Sequence, residues 1–186
     1  METIQEKFIK LRSQISDGDL ILFRGRGFVA RIIEWCDSSY FSHIGVVIEK
    51  HGALFIVDSN SRGVQADRLS CRVNSYNKSS DFLIIKPMVN REYVNREMRN
   101  LLKKSDDKWI RYDFKNGLKE LCNRKFNLKF KIKIRDEHDI CSDFVSSYAH
   151  GLELVDFNNI IIALPQDYIK YRNDKNIKIV GNLCKQ

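Results

Sequence analysis

The chain has 186 residues, 43% of them apolar, and a formal net charge of +8, enough for one sizeable core and too little for two, so a single domain over 1–186 is expected. No apolar run reaches the length of a membrane span, and the charged start Met1 to Lys10 lacks the apolar centre of a signal peptide, which makes a cytoplasmic setting the expectation. Five cysteines (Cys36, Cys71, Cys122, Cys141, Cys184), odd in number and without CxxC spacing, argue for free thiols against a disulfide framework or a zinc knuckle.

In chain order, Ile4, Phe8, Leu11 and Ile15 recur at helical spacing and predict a helix from Thr3 to Ile15, stopped by Asp17-Gly18. Asp19 to Phe23 reads as a buried strand. Gly25 and Gly27 break it before a second helix through Phe28, Ile32, Ile33 and Trp35. Gly25-Arg-Gly27 lacks the further glycine and the lysine of a phosphate loop and is read as a turn. Next come a strand from His43 to Glu49, a turn at Lys50-His-Gly-Ala53 and a strand from Leu54 to Asp58. A short strand or turn follows near Val64, then a polar loop from Arg72 to Asp81, and a strand from Phe82 to Lys86 that Pro87 ends. Helices are predicted from Arg91 to Lys104 and from Asn116 to Cys122. The apolar/Lys alternation from Phe126 to Ile134 predicts a strand with one wet face. A helix from Cys141 to Gly151, a helix opening at Leu164-Pro165 and a strand from Ile177 to Val180 complete the chain.

Cys141 heads an apolar stripe of Val145, Tyr148 and Leu152, so its thiol faces the core, with Asp139 as the expected N-cap. A helix N-terminus favours thiolate over thiol. If His51-Gly52 is a two-residue hairpin loop, partners across the hairpin have numbers summing to 103, which sets Gly45 opposite Asp58 and His43 opposite Asn60. His43, Asp58 and Asn60 then share one face, and either Asp58 or Asn60 is placed to hold one ring nitrogen of His43. Trp35, Tyr40 and Phe41 read as core or as a cleft lining, and His51 and His150 as solvated. His138-x-x-Cys141 has the spacing of half a metal site but no second pair, so neither metal nor cofactor is expected.

His43 within Ser-His-Ile-Gly-Val-Val, an acid fifteen residues later, and Cys141 within Ile-Cys-Ser-Asp-Phe-Val resemble the circularly permuted papain-like cysteine hydrolases. These are the YiiX-like branch of the NlpC-type superfamily, with poxviral relatives and the lecithin-retinol acyltransferases as cousins. Asp17-Gly-Asp-Leu-Ile-Leu, Tyr112-Asp113 and Leu164-Pro-Gln-Asp extend the resemblance over about residues 16–170. It implies an α+β, permuted papain-like fold, with a central antiparallel sheet or half-barrel packed against helices and the nucleophile at a helix N-terminus. It further implies Cys141 as nucleophile, His43 as general base then acid, and Asp58 as the orienting group. Many family members carry Glu there, which keeps Asn60 as the alternative. The backbone N–H of Cys141 is the expected oxyanion donor, with Tyr112 the candidate for a second oxyanion or substrate contact. The expected reaction is thiol-dependent cleavage or transfer at a peptide amide or a lipid acyl group.

Thirteen Lys or Arg against four acids lie between Arg99 and Arg135, a local balance of +9. This segment is the expected contact for an anionic membrane surface. No specific nucleic-acid partner is expected, because the basic residues are not read as a base-stacking surface. A competing reading keeps the scaffold as a catalytically silent module that docks on an anionic partner through 99–135.

Overall fold

The computed structural model describes residues 2–37, 40–60, 63–107, 111–112, 114–131, 138–139, 141–157 and 163–181. Helix α1 (Ile4–Leu11) starts at a capping box in which Thr3 Oγ accepts from the Glu6 amide and Glu6 accepts from the Thr3 amide. A 3₁₀ turn, Arg12–Gln14, finishes it. There follow β1 (Leu20–Arg24), α2 (Phe28–Asp37), β2 (His43–Lys50), β3 (Ala53–Asn60), β4 (Gly63–Arg68), α3 (Leu69–Ser75), β5 (Asp81–Pro87) and α4 (Arg91–Asp107). The remainder holds β6 (Arg111–Tyr112), α5 (Phe114–Phe126), β7 (His138–Asp139), α6 (Cys141–Gly151), α7 (Asp167–Lys170) and β8 (Ile177–Val180).

Six strands form one antiparallel sheet in the order β4-β3-β2-β1-β5-β8, and β6 pairs with β7 in parallel. Side chains alternate across a strand, and here both faces are covered. Leu20, Leu22, Ile44, Val46, Val57, Leu83 and Ile85 pack with Val94, Met98 and Leu101 of α4 and Phe144, Val145 and Tyr148 of α6. On the other face Ile21, Phe23, Val47, Ile56, Phe82 and Ile84 pack with Ile4 of α1 and Leu69 and Val73 of α3. That two-sided burial is why β1 reads as an unbroken apolar run, Leu-Ile-Leu-Phe, where a one-sided strand alternates.

The β2–β3 turn follows the expected register. His51 (φ 53) and Gly52 (φ 73) both take positive φ, as a type I′ turn requires, and Val46↔Val57 through Lys50↔Ala53 are paired. At Gly45 a Cβ would lie 2.7 Å from Ile56 Cγ1 and 2.9 Å from the Val57 carbonyl oxygen, so glycine admits the close strand approach.

Four expectations are corrected. The stretch from Arg72 is no loop: α3 runs to Ser75, because Leu69 and Val73 lie one turn apart on a buried face. The stretch from Phe126 is no strand within 127–131, and 132–134 lie outside the described residues. Asn127 (φ 50) ends α5 in the left-handed region, and the Asn123 side chain then holds both the amide and the carbonyl of Phe130 at 2.8 and 3.0 Å. Asp139 is no flanking cap, since it sits in β7 opposite Tyr112 while α6 begins two residues on. The helix expected at Leu164-Pro165 starts at Asp167.

Candidate active site

His43 is the first residue of β2 and pairs with Phe23, the ring centroids 6.3 Å apart. Its Nε2 lies 3.0 Å from Asp58 Oδ2, the His side chain 16% exposed and the carboxylate fully buried. The contact is an ion pair more than an aligned hydrogen bond, since neither atom meets hydrogen-bond angles with a partner. Three groups converge on Asp58. Asn60 Nδ2 donates to Oδ1 at 3.1 Å, while an Arg72 guanidinium nitrogen lies 2.9 Å from Oδ1 and 2.8 Å from Oδ2. The same nitrogen reaches Asp67 at 3.0 Å.

Burial alone pushes the Asp58 carboxyl up. The charge of His43, its contact with that residue, Arg72 and the Asn60 amide outweigh burial and hold Asp58 below the usual carboxylate range. For His43, burial disfavours the cation, yet negative charge on Cys141 and on Asp58 raises it well above the ordinary 6.5. α6 packs its stripe on the sheet face opposite to the one His43 shares with Phe23. Both residues stand at the beginning of their elements, His43 in β2 and Cys141 in α6.

Cys141 is 3% exposed. The head of its helix is pinned from the neighbouring residue: Ser142 Oγ donates to the Ala163 carbonyl at 2.6 Å, and Tyr168 Oη donates to the Ser142 carbonyl. Near the other end, Tyr148 Oη donates to the Gly18 carbonyl at 2.6 Å. These bonds explain two further sequence landmarks as framework. Asp17 accepts from the Glu49 amide and pairs with Arg91, and Asp19 pairs with Lys86 at 2.7 Å. In Leu164-Pro-Gln-Asp, Asp167 accepts from the Leu164 amide at 2.8 Å and takes Arg124 Nη1 on both oxygens at 3.1 and 2.9 Å.

A cleft of about 560 Å³ opens beside His43, lined among others by Gly25, Ile33, Asn60, Arg72 and Tyr76, and Cys141 is not on its wall. Tyr76 stacks on Phe23 with centroids 4.9 Å apart. Arg72 and Tyr76 both escape sequence reasoning because they fall in the stretch read as loop; the Leu69/Val73 spacing was the available signal. The aromatic trio ahead of His43 separates. Phe41 is core, Trp35 is exposed, and Tyr40 bonds Asp81 at 3.1 Å. Tyr112 pairs with Asp139 just before α6, and its side chain lies outside the described residues. The described arrangement thus brings His43, Asp58, Asn60 and Arg72 together, and Cys141 is not among the residues that line their cleft.

The fold is of a mixed helix-and-sheet class, a six-stranded antiparallel sheet between helices. It is YiiX-like: the chain is similar to the crystal structure of the metalloprotein YiiX from Escherichia coli O157:H7, with a TM-score of 0.61, 13% identity, and 91% of this chain and 98% of that one covered. No protein-family model and no curated protein matches the sequence. No helix among the described residues is long and apolar enough to cross a membrane.

Proposed function

We propose that this chain is a thiol-dependent hydrolase or acyltransferase of permuted papain-like type, cleaving an amide or ester with Cys141 as nucleophile, His43 as general base then acid, and Asp58 as the orienting group. The single observation that supports the reading is the His43–Asp58 contact at 3.0 Å, closed by Arg72 at 2.8 Å, on a cleft that His43 and Arg72 line. Nε2 is committed to Asp58, which leaves Nδ1 to exchange the proton with sulfur. The sulfur attacks the carbonyl carbon, and the carbonyl electron pair moves to oxygen, where the backbone N–H of Cys141 at the start of α6 stabilises it. Collapse expels the amine or alcohol, which takes the proton from His43 and leaves a thioester. Water or an acceptor, deprotonated by His43, then attacks the thioester and releases the acyl group.

YiiX is described as a metalloprotein. The residues described here do not fit that use of the site. No three His, Cys, Asp or Glu among them gather as a ligand set, and both Asp58 oxygens already face the Arg72 guanidinium.

The test is competitive alkylation by iodoacetamide near neutral pH. Burial alone ranks Cys71, which is exposed, and Cys122, half-buried, ahead of Cys141. The proposal expects the reverse, Cys141 labelled first, and expects His43→Ala to restore the order set by exposure. Labelling that follows exposure in the wild type would sink it. A screen of acyl esters and amides, with Cys141→Ala as the blank, then identifies the bond cleaved.

A further inference from the structure

Away from the cleft, the α2 and α5 surface exposes apolar side chains that nothing among the described residues covers. Phe28 and Trp35, seven residues apart on one stripe of α2 with exposed Arg31 between them, are 80% and 59% exposed. Phe126 meets Trp35 at 5.9 Å between ring centroids, and Lys125 Nζ stands 5.0 Å over the Trp35 ring. Beyond α5, Leu128 and Phe130 are 42% and 50% exposed, and Lys129 and Lys131 are exposed with them.

This is a built display, not a loose loop. Asn123 holds both polar groups of the Phe130 backbone, and Lys119 Nζ donates to the Lys131 carbonyl at 3.2 Å. With the backbone fixed against α5, the Leu128 and Phe130 side chains remain about half exposed among the described residues. Glu120 is engaged by Arg124 at 2.8 Å and Glu34 by Arg24 at 3.6 Å, so among the described side chains of this stretch the lysines are left to give the surface a positive sign.

We propose that this surface, α2 together with 125–131, docks the protein on an anionic lipid bilayer, the aromatic and leucine side chains entering the headgroup boundary and the lysines meeting lipid charge. Trp, Phe and Leu beside Lys is the composition of an interfacial anchor. A single-stranded nucleic acid would use ring faces and phosphate contacts, and Leu128 has no ring to offer it. The docking face is narrower than the whole basic stretch 99–135. On its opposite side, Ala30 and Ile33 of the same helix line the His43 cleft. The docking proposal does not depend on the catalytic one.

The test uses Trp109→Phe, which leaves Trp35 as the sole tryptophan. Mixed phosphatidylserine/phosphatidylcholine vesicles should shift its emission to the blue, and lipids brominated in the acyl chain should quench it, where pure phosphatidylcholine does neither. Raising salt should release the protein, since charge attraction reaches only about 8 Å at physiological ionic strength. Lys129→Gln/Lys131→Gln should weaken vesicle binding roughly thirtyfold, the factor that two near-surface lysines supply. Trp35→Ser/Phe126→Ser/Phe130→Ser should abolish binding at unchanged charge. These side chains are exposed, so the fold survives both sets. The proposal is overturned by no vesicle binding at low salt, by either variant sedimenting with vesicles as the parent does, or by a Trp35 shift produced by a single-stranded oligonucleotide and not by vesicles.

Discussion

Arg72 and Asp58 form a buried ion pair in which one guanidinium nitrogen spans both carboxylate oxygens, at 2.9 and 2.8 Å, with the two side chains 14% and 0% exposed. His43 is the third party to it, held on Oδ2 at 3.0 Å. A carboxylate so enclosed needs its cations, because an uncompensated charge at that depth is far more costly than the pair is favourable.

Removing only the cation should therefore be severe. Arg72→Met is expected to cost about 3–5 kcal/mol in urea unfolding. Asp58→Asn costs less, since Arg72 keeps Asp67 at 3.0 Å. The double variant Arg72→Met/Asp58→Asn should recover much of the loss, as the stranded charge is gone. Simple additivity of the two losses would show that the pair is not coupled.

The imidazole carries a pH signature. Its folded value lies well above the ordinary 6.5, with burial working against the cation and Cys141 and Asp58 overcoming it. The contribution to stability is then fully present below about 6.5 and is lost as pH rises through the raised folded value. Asp58 has the opposite sign: lowered from 3.8, it contributes above that value and loses its contribution as pH falls through its own folded one. In an NMR titration of His43, Asp58→Asn and Cys141→Ser should each move the midpoint down. A midpoint indifferent to Cys141→Ser would separate the two residues.

Turnover, once a substrate is in hand, should rank the two candidates for the orienting role. Asp58→Asn is expected to lower kcat by about 10⁴, as an amide in that place favours the wrong tautomer. Asn60 donates to Asp58 Oδ1, so Asn60→Ala is expected to cost on the order of tenfold, as for the loss of a hydrogen bond. The reverse ranking would assign the role to Asn60.

What was legible in the sequence was local. The His51-Gly52 turn fixes its own backbone, and the period of two then carries His43 and Asp58 to one face. The α6 boundaries rest on an apolar stripe and a closing glycine. What was not legible depended on company the chain keeps elsewhere. A seven-residue helix with only Leu69 and Val73 buried gives too short a period to stand out, so the residue it carries against Asp58 was hidden with it. The Phe126 alternation misled because a strand pattern assumes one dry face, and over 126–131 both sets of side chains stand in solvent.

The two-residue turn has a consequence for how this site can change over generations. Eight residues run from His43 to Lys50 and six from Ala53 to Asp58, with no bulge to absorb an error. A deletion inside β3 before Asp58 would bring Ser59 to the carboxylate's place, and an insertion would bring Val57, while the backbone ladder could still close. The carboxylate that meets His43 can thus be exchanged by substitution, Asp for Glu or Asn, but it cannot be reached by sliding. For the hairpin that carries it, length is inherited as strictly as chemistry.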